Sequence, residues 1–141
     1  MRPRTHSQFL SWFLCLLVIP ALTIEGSGPS RKASPNPKPA SIVAMIAAPA
    51  KYDGQRIQTI GFLDVEFEGH ALYLHEEDYR YSISRNAVEL VLTKPQEDQF
   101  KKLSLTHVIV EGSFSASGDE MYGGSLRDIT RLETWPPYGR R

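Results

Sequence analysis

With 141 residues the chain has room for one domain of ordinary size. Its single cysteine excludes the intrachain disulfide framework of many small exported domains, so the fold must stand on its core. Sixteen basic residues match sixteen acidic ones overall, yet residues 50–135 hold nine against fifteen, a net of −6. That segment lacks the Lys and Arg surplus that neutralises a phosphate backbone, which argues against nucleic acid as its partner.

Arg2 and Arg4 precede an apolar run from Phe9 to Leu22. A positive start followed by a short apolar stretch is the export-signal pattern, and the run falls short of the roughly 20 residues of a membrane span. Residues 1–23 are read as a signal peptide, with an uncleaved anchor as the alternative and the only expected membrane contact. Cys15 lies inside the run, between Leu14 and Leu16, which is not the setting of a lipid-modified cysteine. Asn36 is followed by Pro37 and Asn86 by Ala87-Val88, so no Asn-x-Ser/Thr acceptor exists. These features favour a bacterial periplasm or cell envelope. Residues 24–39 contain four prolines and little apolar mass, and are expected to form a disordered linker.

A folded domain is expected over 40–135, followed by a disordered tail over 136–141. Ser41 reads as the N-cap of a short helix ended by Pro49, with Ile42, Met45 and Ile46 on one face. Tyr52-Asp53-Gly54-Gln55 is turn chemistry. From Arg56 to Phe67, the residues Ile57, Thr59, Gly61, Leu63, Val65 and Phe67 alternate with mostly polar ones, the period of a half-buried strand. Gly61 suggests a bend within it. Runs at Ala71–His75 and Ala87–Leu92 follow, separated by the acidic and aromatic stretch Glu76–Tyr81. Thr93, Pro95 and Gln96 start a helix through Leu103, with Phe100 and Leu103 as its buried stripe. Val108–Phe114 and Leu126–Leu132 are the last two strands, joined by a Ser-, Gly- and acid-rich loop from Ser115 to Gly124.

This β-β-β-α-β-β order resembles the OB-fold, a five-stranded Greek-key barrel with one helix between the third and fourth strands. Tyr52-Asp53-Gly54-Gln55-Arg56-Ile57, Gly61-Phe62-Leu63 and Val110-Glu111-Gly112-Ser113-Phe114 are similar to uncharacterised exported bacterial proteins of that shape. The fold class expected is therefore mainly β, with an additional short N-terminal helix. The resemblance implies a binding surface over 71–92 and the loops Glu66–His70 and Ser115–Gly124, where relatives of this fold hold oligonucleotides or oligosaccharides. Those loops carry Glu66, Glu68, Asp119 and Glu120 here, not a basic rim.

Catalytic motifs are missing. There is no Gly-x-Ser-x-Gly, Cys15 lies in the signal, and Gly118, Gly123 and Gly124 precede a strand instead of the helix a phosphate loop needs. No cofactor is expected. His70 and His75 with Glu76, Glu77 and Asp78 are the one candidate metal set, the basis of an alternative reading as a metal-assisted hydrolase. Five residues apart on a strand, however, the two imidazoles point to opposite sides, and three acids in a row usually make a solvated turn. Tyr73, Tyr79, Tyr81 and Tyr122, with Glu68 and Glu120, are the candidate ligand-binding residues. Their rings can stack on a ligand, or they can serve as core and as braces for the long connection. The function expected is a non-enzymatic binding module whose partner is a protein, a glycan or a small ligand, with an oligonucleotide or oligosaccharide binder as the alternative.

Overall fold

The computed structural model describes residues 36–66 and 69–136. The signal segment, residues 24–35 of the expected linker, Phe67, Glu68 and the tail from 137 onward lie outside them. The described chain is mainly β. Its elements are β1 (Lys38–Pro39), α1 (Ile42–Ala47), α2 (Pro49–Tyr52), β2 (Arg56–Glu66) and β3 (Gly69–Tyr73), then α3 (Glu76–Arg80), β4 (Ala87–Leu90), α4 (Lys94–Phe100), β5 (His107–Ser115) and β6 (Ser125–Thr134). Short 3-10 turns stand at Ser84–Asn86 and Lys101–Leu103.

The strands form one mixed sheet in the order β1-β2-β3-β4-β6-β5, and β5 pairs back to β2, so five strands make a ring. Within it β4 and β6 are parallel and the other neighbours antiparallel. β2 serves two partners. Arg56 to Phe62 pairs with β5, and Phe62 to Glu66 pairs with β3. At the hand-over stands Gly61, where a Cβ would lie 2.6 Å from the Tyr73 carbonyl oxygen and 2.8 Å from Ile42 Cδ1. Only glycine lets the strand pass this close to its neighbours.

Alternation decides what each strand buries. Ile57, Leu63 and Val65 of β2, Leu72 of β3, Val88 and Leu90 of β4, Val108, Val110 and Phe114 of β5 and Leu126 and Leu132 of β6 share one core. Ile42 and Met45 of α1 and Phe100 of α4 join it. Each such side chain, removed from water, contributes about 1.5–3 kcal/mol before entropy is counted. Ser41 caps α1 by accepting from the Ala44 N–H at 3.2 Å, and Gln96 accepts from the Thr93 N–H at 3.0 Å at the start of α4. Both starts match their sequence signals.

Three features depart from the sequence reading. The sheet has six strands, because Lys38 and Pro39 at the end of the proline-rich stretch pair with Ile57 and Gln58. Pro49 closes α1 but also opens α2, since a proline is tolerated in a first helical turn. The acidic stretch after His75 is a helix, α3, and its third acid is not solvated: Asp78 is only 7% exposed.

Candidate functional site

The outer face of β2, β3 and β4 carries a second, smaller cluster made of Phe62, Ala71, Tyr73 and Ala87. Register explains it, because Phe62 lies opposite Tyr73 and Tyr73 opposite Ala87. Two covers lie on this face. Tyr79 of α3 packs 5.6 Å from the Phe62 ring and 5.7 Å, edge-on, from the Tyr73 ring. Tyr122 of the 115–124 loop packs against the same cluster. The loop is pinned beside β4, with the Gly123 N–H donating to the Ala87 carbonyl and the Glu89 N–H donating to the Gly124 carbonyl, each at 2.9 Å.

The connection from α3 to β4 is organised by Asp78. Its Oδ2 accepts from the His75 N–H at 3.1 Å and its Oδ1 from Asn86 Nδ2 at 2.8 Å. Its carbonyl accepts from the Ile83 N–H at 2.8 Å. Ser82, between them, sits at φ 53, a left-handed conformation that a serine adopts at some cost. Together this connection and the tip of the 115–124 loop enclose an open groove of about 630 Å³, lined by Ser82, Ile83, Ser84, Arg85, Glu120 and Met121. Ile83 is 43% exposed and Met121 58% exposed.

The same face carries a carboxylate, opposite Ala71 of the cluster. Asp64 is on the outer face, and its Oδ1 is buried without a hydrogen-bond partner. Burial first, then the nearby Glu66 carboxylate, pushes its pKa up to about 6, with His70 opposing. The Tyr79 hydroxyl donates to Glu66 Oε1 at 3.3 Å. The phenols of Tyr73, Tyr79 and Tyr122 are all held above their ordinary range, in each case mainly by burial and further by surrounding acids. Because the folded chain holds the Asp64 proton more tightly than the unfolded chain, the associated stability is fully present below the ordinary Asp value. It is lost as pH rises through about 6. The carboxyl is partly open to water, so the stability at stake is about 1 kcal/mol, not the ~3 kcal/mol that the full shift would convert to.

A separate polar knot joins β3 to α4. His70 Nε2 lies 3.1 Å from Glu97 Oε1, and Glu97 Oε2 lies 2.7 Å from Lys94 Nζ. A pocket of about 150 Å³ opens there. His75 is elsewhere, exposed at the start of α3. Among the described residues no three His, Cys, Asp or Glu side chains are placed to hold a metal ion.

The structure therefore divides the candidate residues. Tyr73, Tyr79 and Tyr122 come together on the outer face, whereas Tyr81 stands apart, 76% exposed at the end of α3. Glu120 is exposed on the groove, and Glu68 lies outside the described residues. Asp64, Ile83, Arg85 and Met121 were not singled out by sequence, and Asp78 only as a member of the candidate metal set. No local signal could have found Asp64, since an acid alternating with Leu63 and Val65 reads as an ordinary solvent-facing residue. No protein-family model matches the chain, and neither a curated protein nor a solved structure is found to match it.

Proposed function

We propose that this chain is an exported, non-enzymatic binding module of the cell envelope, built on an OB-like Greek-key barrel. Its binding surface is the groove between the α3–β4 connection and the 115–124 loop. The barrel reading is supported by the five-strand ring and by α4 lying between β4 and β5. The observation that carries the binding surface is apolar exposure: Ile83 and Met121 leave large side chains in water on one groove. Such side chains gathered at a concave surface mark interaction sites more often than scattered ones do. The partner is a neutral or basic protein segment. Its apolar side chains fill the groove, where Arg85 and Glu120 balance each other, and its charge suits the acids of the surrounding domain.

A titration of the full chain, followed residue by residue by NMR, tests this with three probes: an apolar-basic peptide pool, an oligosaccharide and single-stranded DNA. Peptide-induced shifts should cluster at 81–85 and 119–122. The double substitution Ile83→Ala with Met121→Ala should weaken the binding by about tenfold or more without changing the melt. Tight DNA binding that falls steeply with salt would replace this reading by a nucleic-acid one. Export rests on residues 1–23. Their deletion should leave a folded, soluble protein in the cytoplasm; fractionation that finds the shortened chain still exported would remove the envelope from the proposal.

A further inference from the structure

We infer that the groove is also a self-association surface, where two copies of this chain meet face to face in a weak two-fold dimer. The inference rests on the groove being a protein-binding surface, and it names the occupant when no other partner is bound. The wall after α3 carries one exposed apolar side chain, Ile83, and one exposed charge, Arg85. The loop wall carries the same combination with the sign reversed, Met121 and Glu120. A two-fold axis running along the groove sets each wall against the opposite wall of the second copy. Arg85 then meets Glu120 of the second copy twice over, and Ile83 meets Met121. A second copy thus offers an opposite charge to both walls at once, which a segment of uniform sign does not.

Both walls are fixed before any contact is made. The Ile83 N–H donates to the Asp78 carbonyl and Asn86 Nδ2 to the Asp78 carboxylate, each at 2.8 Å. At the loop tip the Asp119 carboxylate accepts from the Met121 N–H at 2.9 Å, and its carbonyl from the Tyr122 N–H at 3.0 Å. Surfaces held in this way lose little freedom on docking. Helix α1 widens the apolar area, since it runs beside the Ser84–Asn86 turn and its Ile46 lies against Gly123. Val43, three residues before Ile46 and so on that side of α1, is 53% exposed. Two effects keep the dimer weak. A groove lined by six residues is small beside the roughly 20–30 a side of a standard interface. Residues 50–135 also carry a net −6 in each copy, which opposes their approach. The expected dissociation constant is about 10–500 μM, loose enough for a partner segment to replace the second copy.

Sedimentation velocity of the full chain, from about 5 μM to about 1 mM, tests the dimer without any peptide. The average mass should rise toward that of two copies across this range. Arg85→Glu and Glu120→Arg stand at exposed positions, so neither should alter the melt. Each should weaken association by about tenfold or more, because it sets like charges face to face. Mixed in equal amounts, the two variants should associate at least as well as the unmodified chain, since both contacts across the groove then pair opposite signs. One chain carrying both substitutions should recover the dimer as well. A chain that keeps the mass of one copy at about 1 mM overturns the inference. So does association that both single variants leave unchanged, as contact through the apolar run from Phe9 to Leu22 would be, or a mixture that fails to recover it. Peptide-induced shifts without a dimer remove only this inference, and a dimer without peptide-induced shifts removes only the partner proposed above, so the two readings fail separately.

Discussion

Val110→Asp should abolish the folded state. Val110 is fully buried at the middle of β5, opposite Thr59 on β2 and Leu132 on β6, where the ring closes. A carboxylate there has no water and no cation within the core, so its burial costs several kcal/mol. A single domain of this size has about 5–15 kcal/mol in total, and one without disulfides has no second means of support. The expected result is a chain with no cooperative thermal transition and an unprotected backbone. Ile60→Asp makes the contrast. Ile60 also lies in the sheet, on β2, but is 40% exposed, so the same charge should lower stability only slightly. A cooperative melt of Val110→Asp resembling that of the unmodified chain would remove the strand assignment.

The ring was legible because period-two alternation is a local signal. Ile57, Leu63 and Val65 are buried on one face of β2, and Val108, Val110 and Phe114 on one face of β5, as their spacing requires. Cap chemistry is equally local, which is why Ser41 and the Thr93–Gln96 pair marked helix starts correctly. What escaped the sequence depends on neighbours far along the chain. Lys38 and Pro39 have no strand propensity of their own and are placed only by β2. α3 is five residues long, too short to hold by itself, and is held by Tyr79 against Phe62 and Tyr73 and by the Asp78 hydrogen bonds to His75 and Asn86.

The candidate site was legible in the same partial way. The sequence drew attention to aromatic residues near the second and third runs, yet it could not tell cover from exposed side chain. Tyr79 and Tyr122 close over the outer face, while Tyr81, two residues from Tyr79, is left in water. The difference follows from where α3 ends: the chain leaves the helix at Tyr81, whose N–H still bonds back to the Glu77 carbonyl at 3.0 Å. Its side chain is past the last turn that touches the sheet. The groove is wholly a tertiary object, since its walls come from segments about 35 residues apart.

Asp78→Ala should then remove one of those walls. The Asp78 carboxylate joins the start of α3 to the end of the α3–β4 connection, accepting from the His75 N–H on one side and from Asn86 on the other. Truncation leaves both donors without their acceptor at a position only 7% exposed. Hydrogen bonds to a carboxylate are worth about 1.5–3 kcal/mol each, and part of that is recovered by water once the segment opens, so the expected loss is about 2–4 kcal/mol. Glu77→Ala, one residue away and exposed, should stay within about 0.5 kcal/mol of the unmodified chain. The two losses in Asp78→Ala should also be separable in space. Limited proteolysis should cut within 76–86 at temperatures where β5 and β6 remain protected, because the main core does not run through this connection. The peptide binding proposed for the groove should disappear with the wall, even where most of the domain is still folded. If Asp78→Ala melts and resists protease as Glu77→Ala does, the connection is held by something other than this carboxylate.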